Sequence, residues 1–140
     1  MKIVINQCYS GFGLSGAGIK AYADRKGIPC YPEAGPDGFT TYWTVPKDQR
    51  ITDTVRWEEM PTPERIAHNK ARKAQTLTDI DIPRNDPALV AVVEELGQAA
   101  SNFWAKLEIV EIPDDVEWQI EEYDGLEHVA EKHRTWPEQN

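Results

Sequence analysis

Hydrophobic and polar positions divide the first part of the chain into short, clearly bounded segments. A β-branched run over residues 2–6 predicts a buried strand. After a glycine-rich loop, apolar residues recur at the helical period from Ser15, which can cap a helix, to Gly27, where a C-terminal cap is expected. Residues 39–45 are nearly all aromatic or β-branched, so they predict a second strand.

The middle of the chain carries weaker patterns. Residues 28–38 contain three prolines and two glycines, which predicts a loop. Weak alternation over residues 51–57 indicates a strand that pairs with residues 39–45 through a turn at residues 47–50. The basic stretch 65–73 predicts either a solvated helix or an excursion from the fold. It is the next place to look for an anionic ligand after the glycine loop.

The C-terminal half predicts a helix followed by paired strands. Asp86 can cap a helix that begins at Pro87 and ends near Gly97, with a broad apolar stripe between them. Residues 105–136 alternate in short runs typical of an antiparallel meander. The Asp124-Gly125 pair is typical of a two-residue hairpin turn.

These elements predict an α+β fold. We expect a mixed or antiparallel sheet of about five strands with two main helices on one face. Residues 1–136 are expected to form a single domain, and residues 137–140 a frayed tail. No stretch approaches the roughly 20 apolar residues that cross a bilayer, and the start lacks the pattern of a signal peptide. The sequence therefore predicts a soluble cytoplasmic protein.

Charge and cysteine content exclude several classes of function. Fifteen Lys and Arg against 24 Asp and Glu give a formal charge of −9. Such a chain has no long-range attraction to phosphate backbones or anionic membranes, so we expect neither non-specific nucleic-acid binding nor membrane binding. Cys8 and Cys30 are too few for a disulfide framework or a zinc cluster. No cofactor or metal is assigned.

The glycine loop is the main candidate binding site. Residues 11–16 read Gly-Phe-Gly-Leu-Ser-Gly, a G-x-G-x-x-G pattern between a strand and a helix, where free amides can approach a phosphate. A Rossmann domain is not expected, because Glu33 lies in a proline-rich loop and no repeated strand–helix–strand pattern follows. A simpler anion site remains, and its predicted ligand-binding residues are Cys8, Tyr9, Gly11, Phe12, Gly13 and Ser15. Alternatively, the glycines only form a tight corner and the rings fill the core.

The predicted hairpin has a testable register. A turn at Asp124-Gly125 places Ile120 opposite Val129, Trp118 opposite Glu131, Glu121 opposite His128 and Glu122 opposite Glu127. The Glu121 and His128 pair favours this register, whereas two facing glutamates oppose it slightly. His128 and His133 then point to opposite faces, which disfavours a metal site. Arg134 shares a face with Trp136 and could clamp an anionic aromatic ligand.

Several blocks of the sequence resemble one viral protein family. The chain begins Lys-Ile-Val-Ile-Asn-Gln-Cys-Tyr-Ser-Gly-Phe-Gly-Leu-Ser over residues 2–15 and reads Glu-Lys-His-Arg-Thr-Trp over residues 131–136. These blocks, with residues 81–90, 93–97 and 111–116, are similar to a family of small uncharacterised proteins found in bacteriophage and large-virus genomes. The resemblance leaves the middle of the chain unmatched. It implies a viral accessory protein in the cytoplasm of the host cell.

Loop and resemblance together predict a non-enzymatic binder of a small anionic, nucleotide-like ligand. Such a protein could sequester a host defence signal. Two other functions stay open. One is an acidic inhibitor that binds a host enzyme through its charged C-terminal strands. The other is a small hydrolase or transferase that uses His128 or His133. Self-association into a homo-oligomer is also left open.

Overall fold

The computed structural model describes residues 1–51 and 59–132, and the fold within these residues is α+β. The α+β class is therefore confirmed. The helices are α1 (Gly16–Lys26), α2 (Thr62–Ala74) and α3 (Pro87–Leu96). The strands are β1 (Lys2–Asn6), β2 (Tyr31–Ala34), β3 (Thr40–Trp43), β4 (Leu107–Glu111), β5 (Trp118–Tyr123) and β6 (Leu126–Glu131). No helix within the described residues is long and apolar enough to cross a membrane.

The strands pair two by two. Over the described residues the antiparallel pairs are β1 with β4, β2 with β3, and β5 with β6. The expected single sheet of about five strands is thus not observed, and the described residues contain three α-helices, namely the two main helices that were predicted and α2, which overlaps the basic stretch 65–73. The chain divides into two compact units, one of Met1–Tyr22 with Asp79–Asn140 and one of Ala23–Thr78. The single-domain assignment stays a prediction, and the tail at 137–140 lies outside the described residues.

The first unit has β1 at its centre. Ile3 and Val4 are completely buried and Ile5 nearly so, which agrees with the apolar, β-branched run in the sequence. Strand β1 pairs with β4 over its full length, from Lys2 opposite Glu111 to Asn6 opposite Leu107. The meander prediction is wrong at this point, because β4 takes β1 as its partner and not β5. Consecutive buried side chains lie on both faces of a strand. Covering this apolar surface requires packing partners from distant parts of the chain as well as from neighbouring residues.

Helices α1 and α3 are capped as the sequence predicts. Ser15 Oγ accepts a hydrogen bond from the Gly18 amide at 3.0 Å, and Asp86 Oδ1 accepts one from the Ala88 amide at 2.8 Å. A side chain on Gly18 would place its Cβ 2.9 Å from the Ala100 carbonyl oxygen. This close backbone approach explains a glycine inside a helix.

Tyr22 and Asp86 form a buried contact between α1 and the start of α3. The Tyr22 hydroxyl donates to Asp86 Oδ2 at 2.8 Å, and both residues are at least nine-tenths buried. Burial, followed by the hydrogen bond and charge of Asp86, raises the pKa of Tyr22 to about 12. The phenol therefore stays neutral in the folded state at a pH where an unfolded chain releases its proton.

This contact predicts a loss of stability in strong alkali. The folded-state pKa lies above the unfolded value of about 10, so the stabilisation is complete below pH ~10 and is lost as the pH rises towards about 12. We expect the free energy of unfolding of the wild-type protein to fall over this range more than that of the Tyr22→Phe variant. Urea unfolding at pH ~9 and pH ~11.5 measures the difference. Equal losses in both proteins would contradict the assignment.

The second unit contains a hairpin that the sequence does not predict. Strand β2 lies within the predicted loop 28–38 and pairs with β3, from Tyr31 opposite Trp43 to Ala34 opposite Thr40. Proline is tolerated in such a strand because one edge of a strand in a two-stranded sheet has no partner strand, and an N–H group is not needed there. Residues 47–49 form one turn of 3-10 helix and not a hairpin turn. Most of the predicted 51–57 strand lies outside the described residues.

Trp43 is the buried aromatic residue among the described residues of the second unit. The guanidinium carbons of Arg50 and Arg72 lie 4.9 and 5.3 Å from its ring centre, within cation–π range. Arg72 comes from α2, so the basic stretch of the sequence forms a helix, the first of its two predicted alternatives. Arg50 also pairs with Glu33 of β2. Arg72 of the basic stretch therefore takes part in the internal packing of the unit.

The C-terminal hairpin has the predicted register. Ile120 lies opposite Val129 and Glu121 opposite His128, and every other pair between β5 and β6 agrees. Asp124 and Gly125 have φ of 49° and 89°, the positive values that a type I′ turn requires at both central positions. The two-residue turn signal therefore sets the register of twelve residues.

Candidate functional site

The C-terminal half of the glycine loop is tied to the rest of its unit. The Ser15 amide donates to the Ala100 carbonyl at 2.8 Å, and the Gly13 carbonyl accepts from the Asn102 amide at 3.1 Å. The Leu14 amide donates to Asp79 Oδ2, also at 2.8 Å. A carboxylate of the chain itself thus occupies one amide of the loop. Ser15 caps α1 and is committed to the fold by these bonds.

The N-terminal half of the loop is less engaged. Within the ranges the structure describes, the amides of Gly11, Phe12 and Gly13 donate no hydrogen bond. Tyr9 is 65% exposed. Cys8 is half-buried and lies 3.5 Å, Sγ to Oγ, from Ser10, and this hydrogen bond is the main cause that lowers the pKa of the Cys8 thiol. Gly13 is buried, whereas Gly11 and Phe12 are half-buried, so the loop offers an anion at most the amides of Gly11 and Phe12, and not the helix-start amides of Leu14 and Ser15.

A buried ion pair lies beside the loop. Arg84 makes a bidentate contact with Glu127, with Nη1 to Oε1 at 2.6 Å and Nη2 to Oε2 at 2.8 Å. Glu127 is 4% exposed, and its Oε1 also accepts the Asn6 amide at 2.8 Å. Arg84 Nη1 reaches the Val4 carbonyl at 3.3 Å, while the Val4 amide donates to the Arg84 carbonyl at 2.8 Å. Bidentate geometry and three donors compensate the burial of the carboxylate.

Phe12 lies directly on this ion pair. The guanidinium carbon of Arg84 is 3.6 Å from the centre of the Phe12 ring, a close cation–π contact. Because Glu127 binds both Nη atoms of the guanidinium and the Val4 carbonyl also accepts from Nη1, the ring rests on a support with little freedom to move. Phe12 is only half-buried, so it also faces solvent.

Phe12 forms one wall of an open cavity, which we call the Phe12 cleft. Its volume is about 330 Å³, and its lining residues are Phe12, Asp79, Ile80, Arg84, Glu122 and Glu127. The lining combines an aromatic ring and an aliphatic side chain with three carboxylates and one guanidinium. Arg84 neutralises Glu127, so Asp79 and Glu122 leave the cleft net negative.

Asn6 joins the segments that surround the cleft. This completely buried residue donates from Nδ2 to the carbonyls of Cys8 at 2.7 Å and Gly125 at 2.8 Å. Its Oδ1 accepts the Lys106 amide at 2.9 Å. The end of β1 thereby holds the glycine loop, the hairpin turn and the chain before β4 together. The cleft is formed by parts of the chain that are far apart in the sequence.

Some of the predicted site residues come together and others do not. Phe12, with Gly11 and Gly13 on either side, reaches the cleft, whereas Ser15 serves as a helix cap. Arg134 lies outside the described residues. Sequence reasoning missed four lining residues that matter for the chemistry, namely Asp79, Arg84, Glu122 and Glu127. One signal was present: two glutamates facing each other in the hairpin register require a nearby cation, and Arg84 is that cation for Glu127.

The histidine of the hairpin belongs to the other face. His128 Nε2 lies 3.0 Å from Glu121 Oε2, and both side chains are substantially exposed. Side chains alternate along a strand, so this pair points away from the face that carries Glu122 and Glu127. Among the described residues no group of three or more His, Cys, Asp or Glu could hold a metal ion. His133 lies outside those residues, so the hydrolase alternative stays a prediction.

An exposed aromatic pair, Phe103 and Trp104, comes directly after Asn102, the residue whose amide donates to Gly13 of the glycine loop. Phe103 is 89% and Trp104 64% exposed, with ring centres 4.8 Å apart in an edge-to-face arrangement. Their unit carries, through residue 132, 5 Lys and Arg against 15 Asp and Glu, a formal charge of −10. Exposed rings on an acidic surface are compatible with the inhibitor alternative, which stays a prediction.

Comparison with known proteins adds no relationship. No family model, no curated protein and no solved structure matches this chain.

Proposed function

We propose that this protein binds a small nucleotide-like ligand at the Phe12 cleft. The main support for this proposal is the composition of the cleft. The Phe12 ring, supported by the Arg84–Glu127 ion pair, adjoins carboxylates with unused acceptor atoms. In this proposal the base of the ligand lies against Phe12 and Ile80. Its phosphate lies outside the acidic cleft, against the amides of Gly11 and Phe12.

Size and rigidity support the proposal. A volume of about 330 Å³ lies at the lower end of the roughly 300–1,000 Å³ typical of small-molecule sites. The Arg84–Glu127 pair holds Phe12 before any ligand arrives, so little side-chain entropy is lost on binding. The contact distances that create this support are short, at 2.6, 2.8 and 3.6 Å.

Charge restricts where each part of the ligand lies. Asp79 and Glu122 repel a phosphate inside the cleft but accept hydrogen bonds from the N–H groups of a base. Peptide amides of the loop are the groups nearby that suit an anion. In a viral accessory protein such binding would sequester a nucleotide signal of the host, and no turnover is required.

Isothermal titration tests this function. We expect saturable binding of at least one member of a panel of AMP, GMP, ADP-ribose, cyclic di-AMP and cyclic di-GMP. Phe12→Ala should weaken that binding by about 10- to 100-fold, because stacking of a base on an aromatic ring contributes about 1–3 kcal/mol. Phe103→Ala is the matched control, since Phe103 is exposed outside the cleft lining, and it should bind like the wild type. No binding of any panel member to folded protein would reject the proposal.

A substitution in the glycine loop itself, such as Gly13→Val, would not isolate ligand binding from folding. A Cβ on Gly13 would lie 2.0 Å from Asn102 Nδ2, so the substitution displaces a neighbouring side chain as well as touching the loop. Phe12→Ala removes atoms without adding any, so it separates binding from folding more cleanly.

A further inference from the structure

The acceptor atoms of the cleft are held in place and partly unused. Asp79 is fixed through Oδ2 by the Leu14 amide at 2.8 Å, and Glu122 through Oε1 by the Gly125 amide at 3.1 Å. Within residues 1–51 and 59–132, the second oxygen of each carboxylate, Asp79 Oδ1 and Glu122 Oε2, accepts no hydrogen bond. Each carboxylate is therefore oriented by one oxygen and offers the other.

Most of the hydrogen-bond donors of Arg84, the cation of the cleft, are already engaged. Glu127 and the Val4 carbonyl take three of the five N–H groups of Arg84. The cleft thus presents acceptors to a bound base and few donors. A base that shows donors on its edge satisfies these acceptors, while one that shows an acceptor there leaves a lone pair facing a carboxylate.

From this imbalance we propose that the Phe12 cleft selects guanine nucleotides over adenine nucleotides, an inference that rests on the proposed nucleotide-binding function. Guanine carries two adjacent donors, N1–H and the N2 amino group, which can donate to the unused oxygens Asp79 Oδ1 and Glu122 Oε2. Adenine carries its N6 amino donor beside N1, which is an acceptor. A site that requires hydrogen bonds rejects an analogue lacking the donors because its own polar groups are left unpaired.

Three mononucleotides separate the contributions of the two donors. GMP has both, IMP keeps N1–H and lacks the amino group, and AMP presents an acceptor at N1. We expect the Kd to rise in that order in isothermal titration, with GMP at least about tenfold tighter than AMP, the effect of one well-made hydrogen bond to a charged group.

Glu122→Gln tests the carboxylate directly. The substitution keeps the shape and an oxygen for the Gly125 amide, and Glu122 is exposed at the cleft edge, so folding should be retained. We expect the GMP affinity to fall at least about fivefold with the AMP affinity little changed. The control is Glu121→Gln, which removes the same charge from the opposite face of the same strand and should leave both affinities unchanged. Asp79→Asn is the parallel test of the second carboxylate.

The outcomes distinguish this inference from the function on which it rests. Tighter GMP binding that is lost in Glu122→Gln or Asp79→Asn supports it. AMP binding as tight as GMP binding, or a guanine preference kept in both variants, overturns the selectivity while nucleotide binding stands. If no mononucleotide binds, the selectivity falls, and if the wider nucleotide panel also fails, both proposals fall.

Discussion

Gly125→Ala is expected to destabilise the protein by about 2–5 kcal/mol, the sum of backbone strain at positive φ and an overpacked contact. Gly125 has φ of 89°, and a Cβ built on it would lie 2.3 Å from the Gly11 nitrogen, 2.7 Å from the Tyr9 carbonyl oxygen and 2.9 Å from the Gly11 Cα. All three are backbone atoms and cannot rotate away. The hairpin turn would have to move off the glycine loop.

Thermal and urea unfolding measure this effect, with Gly38→Ala as the control. Gly38 has a nearly equal φ of 85° but nothing within 4 Å of its would-be Cβ. Its substitution reports the strain of positive φ alone, about 1–2 kcal/mol. The excess loss in Gly125→Ala then measures the clash with the glycine loop. Equal losses at both positions would show that the turn does not pack against residues 9–11.

Breaking the Arg84–Glu127 pair from one side is the second large effect we expect. Arg84→Met leaves the buried Glu127 carboxylate with the Asn6 amide as its remaining described donor, and removal of one partner of a buried pair costs about 3–5 kcal/mol. The same variant removes the support beneath Phe12, so nucleotide binding should weaken as well. The unfolding free energy from urea titration gives the first quantity and isothermal titration the second.

A double-mutant cycle separates the coupling free energy of the Arg84–Glu127 pair from the effects of the two single substitutions. In Arg84→Met with Glu127→Gln, the amide oxygen can still accept the Asn6 amide and no charge remains buried, so the double variant should be more stable than additivity predicts by at least about 1 kcal/mol. The exposed pair Lys106 and Glu108, 3.6 Å apart, is the control, and its coupling should stay below about 1 kcal/mol. Equal coupling in both cycles would remove the special role of the buried pair.

Local signals account for the correct part of the sequence analysis. The caps at Ser15 and Asp86 depend on atoms within three residues of each other. The register of β5 and β6 follows from the two residues of their turn. These features were predictable because their physical cause is contained in a few neighbouring residues.

Partner choice over long distances explains the errors. Strand β2 forms in a proline-rich segment because β3 takes it as a partner, and β4 pairs with β1, about 100 residues earlier in the chain. Propensity and periodicity contain no term for such pairing. A proline-rich or weakly alternating segment can therefore be drawn into a ladder by a neighbour that the local pattern does not reveal.

The same distinction between local and long-range causes applies to the candidate site. The amino-acid sequence alone determined the glycine loop, the helix that follows it and the hairpin turn, since each is written in adjacent residues. Only the tertiary structure decided that Arg84 and Glu127 meet beneath Phe12, and that Asp79 binds the loop amide of Leu14. Charges separated by more than 40 positions were brought into contact by the packing around β1, and burial made their pairing obligatory.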